Sequence, residues 1–139
     1  MGHARMKEVM TCGAISRYEA NGHSKRCVYS SAGKTSVNGL LKPDEAFIDQ
    51  DSTDVPGFHI FSGTSCAAAQ CAGIYAVILS HIKNPKSTST AGANGTSGIP
   101  TPAQLKAIVC SPEGTETYNE ETGFGLANGD KINNAIPQP

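Results

Sequence analysis

The chain has 139 residues, with Lys+Arg 11 against Asp+Glu 12 and a formal net charge of −1, so it has no basic surplus with which to hold nucleic acid. That length fits one domain with a real core, a chain of this size burying about two-thirds of its unfolded surface. Charged residues make up only 17% and Ile, Val, Leu and Ala fall in blocks, which excludes a disordered chain and suits an α/β protein rich in turns.

The opening residues, Met1 to Met6, contain no apolar h-region of the signal-peptide kind. Location is left open on that ground: secreted or vesicular if the chain derives from a longer exported precursor. Glu8 to Ile15 reads as a short, mostly buried strand. Asn21-Gly22 is a turn signal inside a polar stretch. Cys27 to Ser31 reads as a second strand or extended piece, and Leu41 to Asp44 as a loop. Asp49 to Pro56 is acidic and turn-like. Gly57 to Phe61 is an aromatic strand leading into Ser62-Gly63-Thr64-Ser65.

A helix is then expected from about Ser65 to Ile82. It is apolar almost all round, which predicts burial inside the domain. Its longest apolar run, Cys71 to Leu79, is too short for a membrane span. Residues 86–99 are a low-complexity Ser/Thr/Gly/Ala/Asn insertion, expected to be flexible and to lie at the surface. They contain a formal glycosylation acceptor, Asn94-Gly95-Thr96. Thr101-Pro102 starts a second helix, with Thr as cap and Pro in the first turn. Tyr118 to Asn128 is extended and Gly-punctuated. Gly129 to Ile136 is a last short helix, stopped by Pro137.

The turn before the long helix carries the chemistry. Ser65 sits where unpaired N–H groups and the positive end of the helix dipole favour developing negative charge. Its hydroxyl is a candidate nucleophile and its own N–H a candidate oxyanion donor. Gly63 and Thr64 are expected to shape the turn, and Ser62 and His59 are the candidates for the edge of a cleft beside it. His59 is a poor candidate for the base, since six extended residues at about 3.3 Å each separate it from Ser65. His81 lies sixteen residues further along the helix, about 24 Å away at 1.5 Å per residue. His3 and His23 read as solvated. Cys66, next to the serine, is expected to point into packing rather than to react.

Cys12, Cys27, Cys66, Cys71 and Cys110 form no CxxC pair and no zinc-type spacing. They read as buried thiols, with a Cys12–Cys27 disulfide lacking specific support. No metal site is assigned. Asp44 reads as a turn-capping residue, and Asp49, Asp51 and Asp54 as a solvated acidic loop.

Phe61 to Gly73 resembles the nucleophile block of the subtilisin-like serine proteases, Gly-Thr-Ser-x-Ala followed by Ala-Gly. Five smaller pieces resemble that family in the same order. They are Val9 to Ala14, Tyr29 to Gly33, Lys42-Pro43-Asp44, Thr101 to Val109, and Gly123 to Asn128 with its Gly-x-Gly-x-x-Asn spacing. The resemblance implies a subtilisin-like three-layer α/β/α fold with a mostly parallel sheet, of which residues 1–139 form the C-terminal half. Structural calcium is frequent in the family, but one carboxylate at Asp44 without a loop motif does not support it here. The chain departs from the pattern at Phe47-Ile48-Asp49, where Ala-Pro-Gly is expected. It departs again at Ala69-Gln70, where Pro and often His stand, and at Cys71 in place of Val.

The triad order Asp, His, Ser puts two partners upstream of the serine, and residues 1–60 contain neither motif, nor the oxyanion Asn. The resemblance thus implies a serine endopeptidase part. Its Ser65 would act on a peptide or protein, with Asp and His supplied by an upstream segment or a partner chain, and with no nucleic acid, membrane or cofactor involved. The alternative is an inactive subtilase-derived fragment serving as an interaction module. A third reading, an ordinary N-capped helix, is disfavoured by six ordered matches.

Overall fold

The computed structural model describes residues 3–17, 25–33, 39–83, 100–110 and 117–136. The Asn21-Gly22 turn, His23, segment 86–99 with Asn94, and Pro137 lie outside them. After a single 3-10 turn, His3–Arg5, come β1 (Cys12–Ile15), β2 (Glu45–Ile48), β3 (Asp51–Val55) and β4 (Phe58–Phe61). Three helices follow: α1 (Thr64–Lys83), α2 (Pro102–Cys110) and α3 (Gly129–Ala135). The chain is therefore α/β.

β1 and β2 pair in parallel, Cys12 opposite Glu45 through Ile15 opposite Ile48. β2 lies where the sequence reading had only a loop running into an altered Ala-Pro-Gly position. Its Ala46 and Phe47 are each 1% exposed, so both faces of the strand are covered. On its far side β2 meets the C-terminal segment. Ala46 N–H donates to the Gly125 carbonyl (2.8 Å), and Ala127 N–H donates to the Ala46 carbonyl (2.9 Å). Gly123 makes that approach possible. Its φ is +71°, and a Cβ there would lie 2.3 Å from the Asp44 carbonyl oxygen.

β3 and β4 form a separate antiparallel hairpin, turned at Pro56-Gly57 with Gly57 at φ +84°. Asp51 to Val55 is thus a strand and not the acidic turn expected, because Phe58 to Phe61 folds back to pair with it. Val55, Phe58, Ile60 and Phe61 are all exposed. Conversely, Cys27 to Ser31 is bent, joined to β1 by a single bridge between Ile15 and Arg26. The expected Glu8–Ile15 strand shrinks to its last four residues.

α1 packs on β1 and β2 through one stripe. Ala67, Cys71 and Ile78 are buried and Ile74 partly so, the i, i+4, i+7, i+11 spacing of one helix face. Truncating Ile78 to Ala there costs about 2–5 kcal/mol. Burial all round does not hold. Ala68, Ala69, Ala72, Gly73, Ala76 and Val77 are exposed, because the described elements cover one side only. By length and composition the Thr64–Ile82 stretch is also apolar enough to cross a membrane, contrary to the sequence reading, and 22% of it is buried.

α2 opens with a reciprocal cap. Thr101 Oγ1 accepts from Gln104 N–H (3.3 Å) and Gln104 Oε1 accepts from Thr101 N–H (2.8 Å). Asn128 caps α3, its Oδ1 accepting from Lys131 N–H at 3.0 Å.

Asp44 is no turn cap. It is buried, with Lys42 Nζ 2.6 Å from Oδ2 and Lys106 Nζ 2.6 Å from Oδ1, and Thr11 N–H donates to Oδ2 at 2.7 Å. Two ammonium groups and a backbone donor satisfy the carboxylate and fasten β2's approach to β1 and α2.

Candidate functional site

β4 ends at Phe61 and the chain reverses through Ser62 and Gly63 into α1. Gly63 has φ +104°, a conformation that side-chain-bearing residues rarely adopt. Its carbonyl begins the helix, accepting from Cys66 N–H (2.9 Å) and Ala67 N–H (3.4 Å). Ser65 therefore stands in the first turn. It is exposed, as are Thr64, Ser62 and His59, whereas Cys66 and Ala67 point inward. Among the described backbone hydrogen bonds the Ser65 N–H has no acceptor, as first-turn donors do not.

Two aspartates hold this turn from below, where the sequence alone suggests a solvated acidic loop. Asp49 is fully buried. Its Oδ1 accepts from Gly63 N–H at 2.8 Å, and its Oδ2 accepts from the Tyr29 hydroxyl and, at 3.7 Å, from the Cys27 thiol. Asp51, on β3, pairs with Arg17 (2.6 Å) and accepts from the Gln70 amide and, at 3.7 Å, from the Cys66 thiol. Two carboxylates against the first two turns of α1 oppose the positive helix end and fix its entry. Asp49 and Asp51 flank Gln50, whose φ of +67° turns the chain between β2 and β3 and sets both carboxylates toward the start of α1. No period in the sequence signals that placement, since a left-handed non-glycine residue is not announced by its neighbours.

Burial pushes the Cys66 thiol above its ordinary value, and the Asp51 and Asp49 charges work in the same direction. That is the opposite of what a reactive cysteine needs. No Cys12–Cys27 disulfide exists: all five cysteines are free, with Cys12 half-buried and the other four buried.

A cavity of about 580 Å³ opens beside the turn. Thr64 and Ala68, one helical turn apart, form one wall, with Cys12, Tyr29 and Ser31 to Gly33 opposite. Ser65 is rotated about 100° from Thr64 around the helix and does not line it. Ser30, next to that wall, is structural: its Oγ accepts from Ala14 N–H at 3.0 Å.

The remaining site residues are not brought together. His59 lies on exposed β4, and His81 is far along α1 on an exposed position. Among the described residues no side chain hydrogen-bonds the Ser65 hydroxyl. Nor does any group of three or more His, Cys, Asp or Glu side chains among them stand ready to hold a metal ion. Both Asp44 oxygens, the carboxylate considered for calcium, are engaged by lysines.

Residues 2–125 match the family model described as Subtilase family. No curated protein and no solved structure matches the chain.

Proposed function

The chain belongs to the subtilase family, and on that footing we propose that Ser65 is the nucleophile of a serine endopeptidase. One observation carries the reading: an exposed serine in the first turn of α1, entered through a left-handed Gly63 that a buried Asp49 holds in place. In the complete site Ser65 Oγ attacks the scissile carbonyl of a peptide and loses its proton to a histidine. The Ser65 N–H holds the oxyanion. The peptide C–N bond then breaks, the histidine returns the proton to the departing amine, and water releases the acyl group.

The histidine, its aspartate and the oxyanion Asn come from an upstream segment or a partner chain, so the chain by itself is inactive. That complementary part covers the exposed Ala68–Val77 face of α1 and extends the parallel sheet into the three-layer α/β/α arrangement. We assign α1 to such a protein interior and not to a bilayer, since its first turns are tied to Asp49 and Asp51. The same exposed face favours a second reading, an inactive interaction module that binds through α1.

Labelling with a fluorophosphonate probe separates the two. The expected result is modification at Ser65 when the upstream Asp- and His-bearing segments are present, and none in Ser65→Ala. Failure to label Ser65 in that setting, with the protein folded, removes the protease reading and leaves the module.

A further inference from the structure

We propose that the outer edge of β1 is a docking slot for an extended, acidic peptide segment of a partner chain. This gives the complementary part described above the chemistry of one contact. Binding alone reads it, so its failure is separate from any failure of Ser65 to label. Successive residues of a strand turn their backbone groups to opposite sides. The Thr11 and Ile15 carbonyls accept from Asp44 N–H (2.8 Å) and Asp49 N–H (2.7 Å), so the odd-numbered residues face β2. Cys12 and Ala14 therefore face away from it. Ala14 is served on that outer side. Its carbonyl accepts from Cys27 N–H (2.9 Å) and its N–H donates to Ser30 Oγ (3.0 Å). Cys12 is not served: among the described residues no hydrogen bond on that side uses its N–H or its carbonyl.

Cys12 opens instead on the 580 Å³ cavity, which Met10 also lines. The segment that serves Ala14 leaves the edge at this point. Beyond Ser30 it becomes the far wall, Ser31 to Gly33, and Gly33 N–H donates to the Glu120 carbonyl (2.7 Å) rather than back to β1. A half-buried strand edge with unserved N–H and C=O groups beside a cavity of ligand size takes an added strand.

Charge selects the segment. Among the described residues Arg5 and Lys42 line the cavity and no acidic residue does. Lys42 and Lys106 share the one Asp44 carboxylate, each at 2.6 Å, so that group keeps a positive charge in excess. An acidic side chain on the incoming strand complements it and Arg5. The slot also lies against the nucleophile turn. Thr64 forms part of its wall, as does Tyr29, whose hydroxyl donates to the Asp49 that holds Gly63. A strand docked there packs directly behind Ser65.

The probe is a fluorescein-labelled Thr-Val-Glu-Val-Thr peptide, titrated with the full chain and read by polarisation. Saturable binding is expected, at least about tenfold weaker when Lys replaces the peptide's Glu. Two analogues, N-methylated at the Glu or at the Val after it, should differ by about tenfold or more, because only one of two adjacent N–H groups can face the edge. Hydrogen exchange should slow at the Cys12 amide on binding and stay unchanged at Gly13. Ala68→Phe, at an exposed helix position on the cavity wall, should weaken binding about tenfold or more with the melting temperature unchanged. No saturation up to about 1 mM, equal binding of the two methylated analogues, equal binding of the Lys peptide, or an unprotected Cys12 amide each overturns the proposal. The peptide series on the wild-type chain decides the matter even if Ala68→Phe does not fold.

Discussion

Removing the Asp49 carboxylate is the sharpest perturbation of the nucleophile turn. Asp49→Ala takes the acceptor from Gly63 N–H, the Tyr29 hydroxyl and the Cys27 thiol together. Tyr29 is 53% exposed, so its hydroxyl regains water at little cost. Gly63 N–H loses a charge-assisted bond, which contributes about 1.5–3 kcal/mol. The negative charge at the helix start contributes about another 1–2 kcal/mol. The expected loss is about 2.5–5 kcal/mol, a large part of the roughly 5–15 kcal/mol a domain of this size has in total. Asp49→Asn keeps an oxygen for Gly63 N–H but gives up the charge and puts an amide N–H2 where Oδ2 accepts from Tyr29 and Cys27; the Tyr29 hydroxyl can turn to accept instead, so a smaller loss of about 1–2 kcal/mol is expected. Urea denaturation of both variants against wild type measures the difference. In the complemented protein, Ser65 labelling should slow more in the Ala variant than in the Asn variant. An Ala variant less than about 1 kcal/mol below wild type, or an Asn variant as damaged as the Ala one, would refute the account of how the turn is held.

Gly123→Ala should cost at least about 2 kcal/mol, since φ +71° and a backbone oxygen 2.3 Å from the added carbon cannot both be relieved; a thermal melt checks this. Stability should fall as pH rises above 9. The Cys66 and Cys110 thiols and the Tyr75 phenol are all raised above their ordinary values in the fold, by burial first. Above those values the unfolded chain gives up protons that the folded chain keeps, so the unfolded state is favoured. Cys71 works against the trend, its neighbour Cys12 favouring its ionisation in the fold, while Cys12 itself is raised by the same interaction and moves with the others. Tyr75→Phe should flatten the decline above pH 10, and melting temperatures from pH 7 to 11 test it. Val77 is 67% exposed, so Val77→Lys should leave the chain's own stability within about 0.5 kcal/mol while abolishing complementation with the upstream segment. A large loss in the isolated chain would mean that this face is already covered.

Local signals were legible wherever a residue type serves one backbone purpose. Thr101-Pro102 opens α2, Asn128 opens α3, and Gly63-Thr64-Ser65 leads into α1, because caps and turns are satisfied within a few residues of themselves. β2 was illegible. Four residues with a glutamate first show no strand period, and they extend only because Cys12–Ile15 and the Gly123–Ala127 segment pair with them from 33 and about 80 residues away. The roles of Asp44, Asp49 and Asp51 were hidden for the same reason, since all their donors but Lys42 are distant in the chain.

The amino-acid order by itself determined the subtilase pattern, the helix starts and the serine in the first turn of α1. Those depend on near neighbours, and near neighbours are written consecutively. Only the tertiary structure decided that a buried Asp49 and a half-buried Asp51 brace that turn, that one side of α1 is bare, and that Lys42 and Lys106 meet on Asp44. Such pairings are settled by which surfaces pack and which carboxylates find donors once distant segments close on one another, and no stretch of sequence holds both halves.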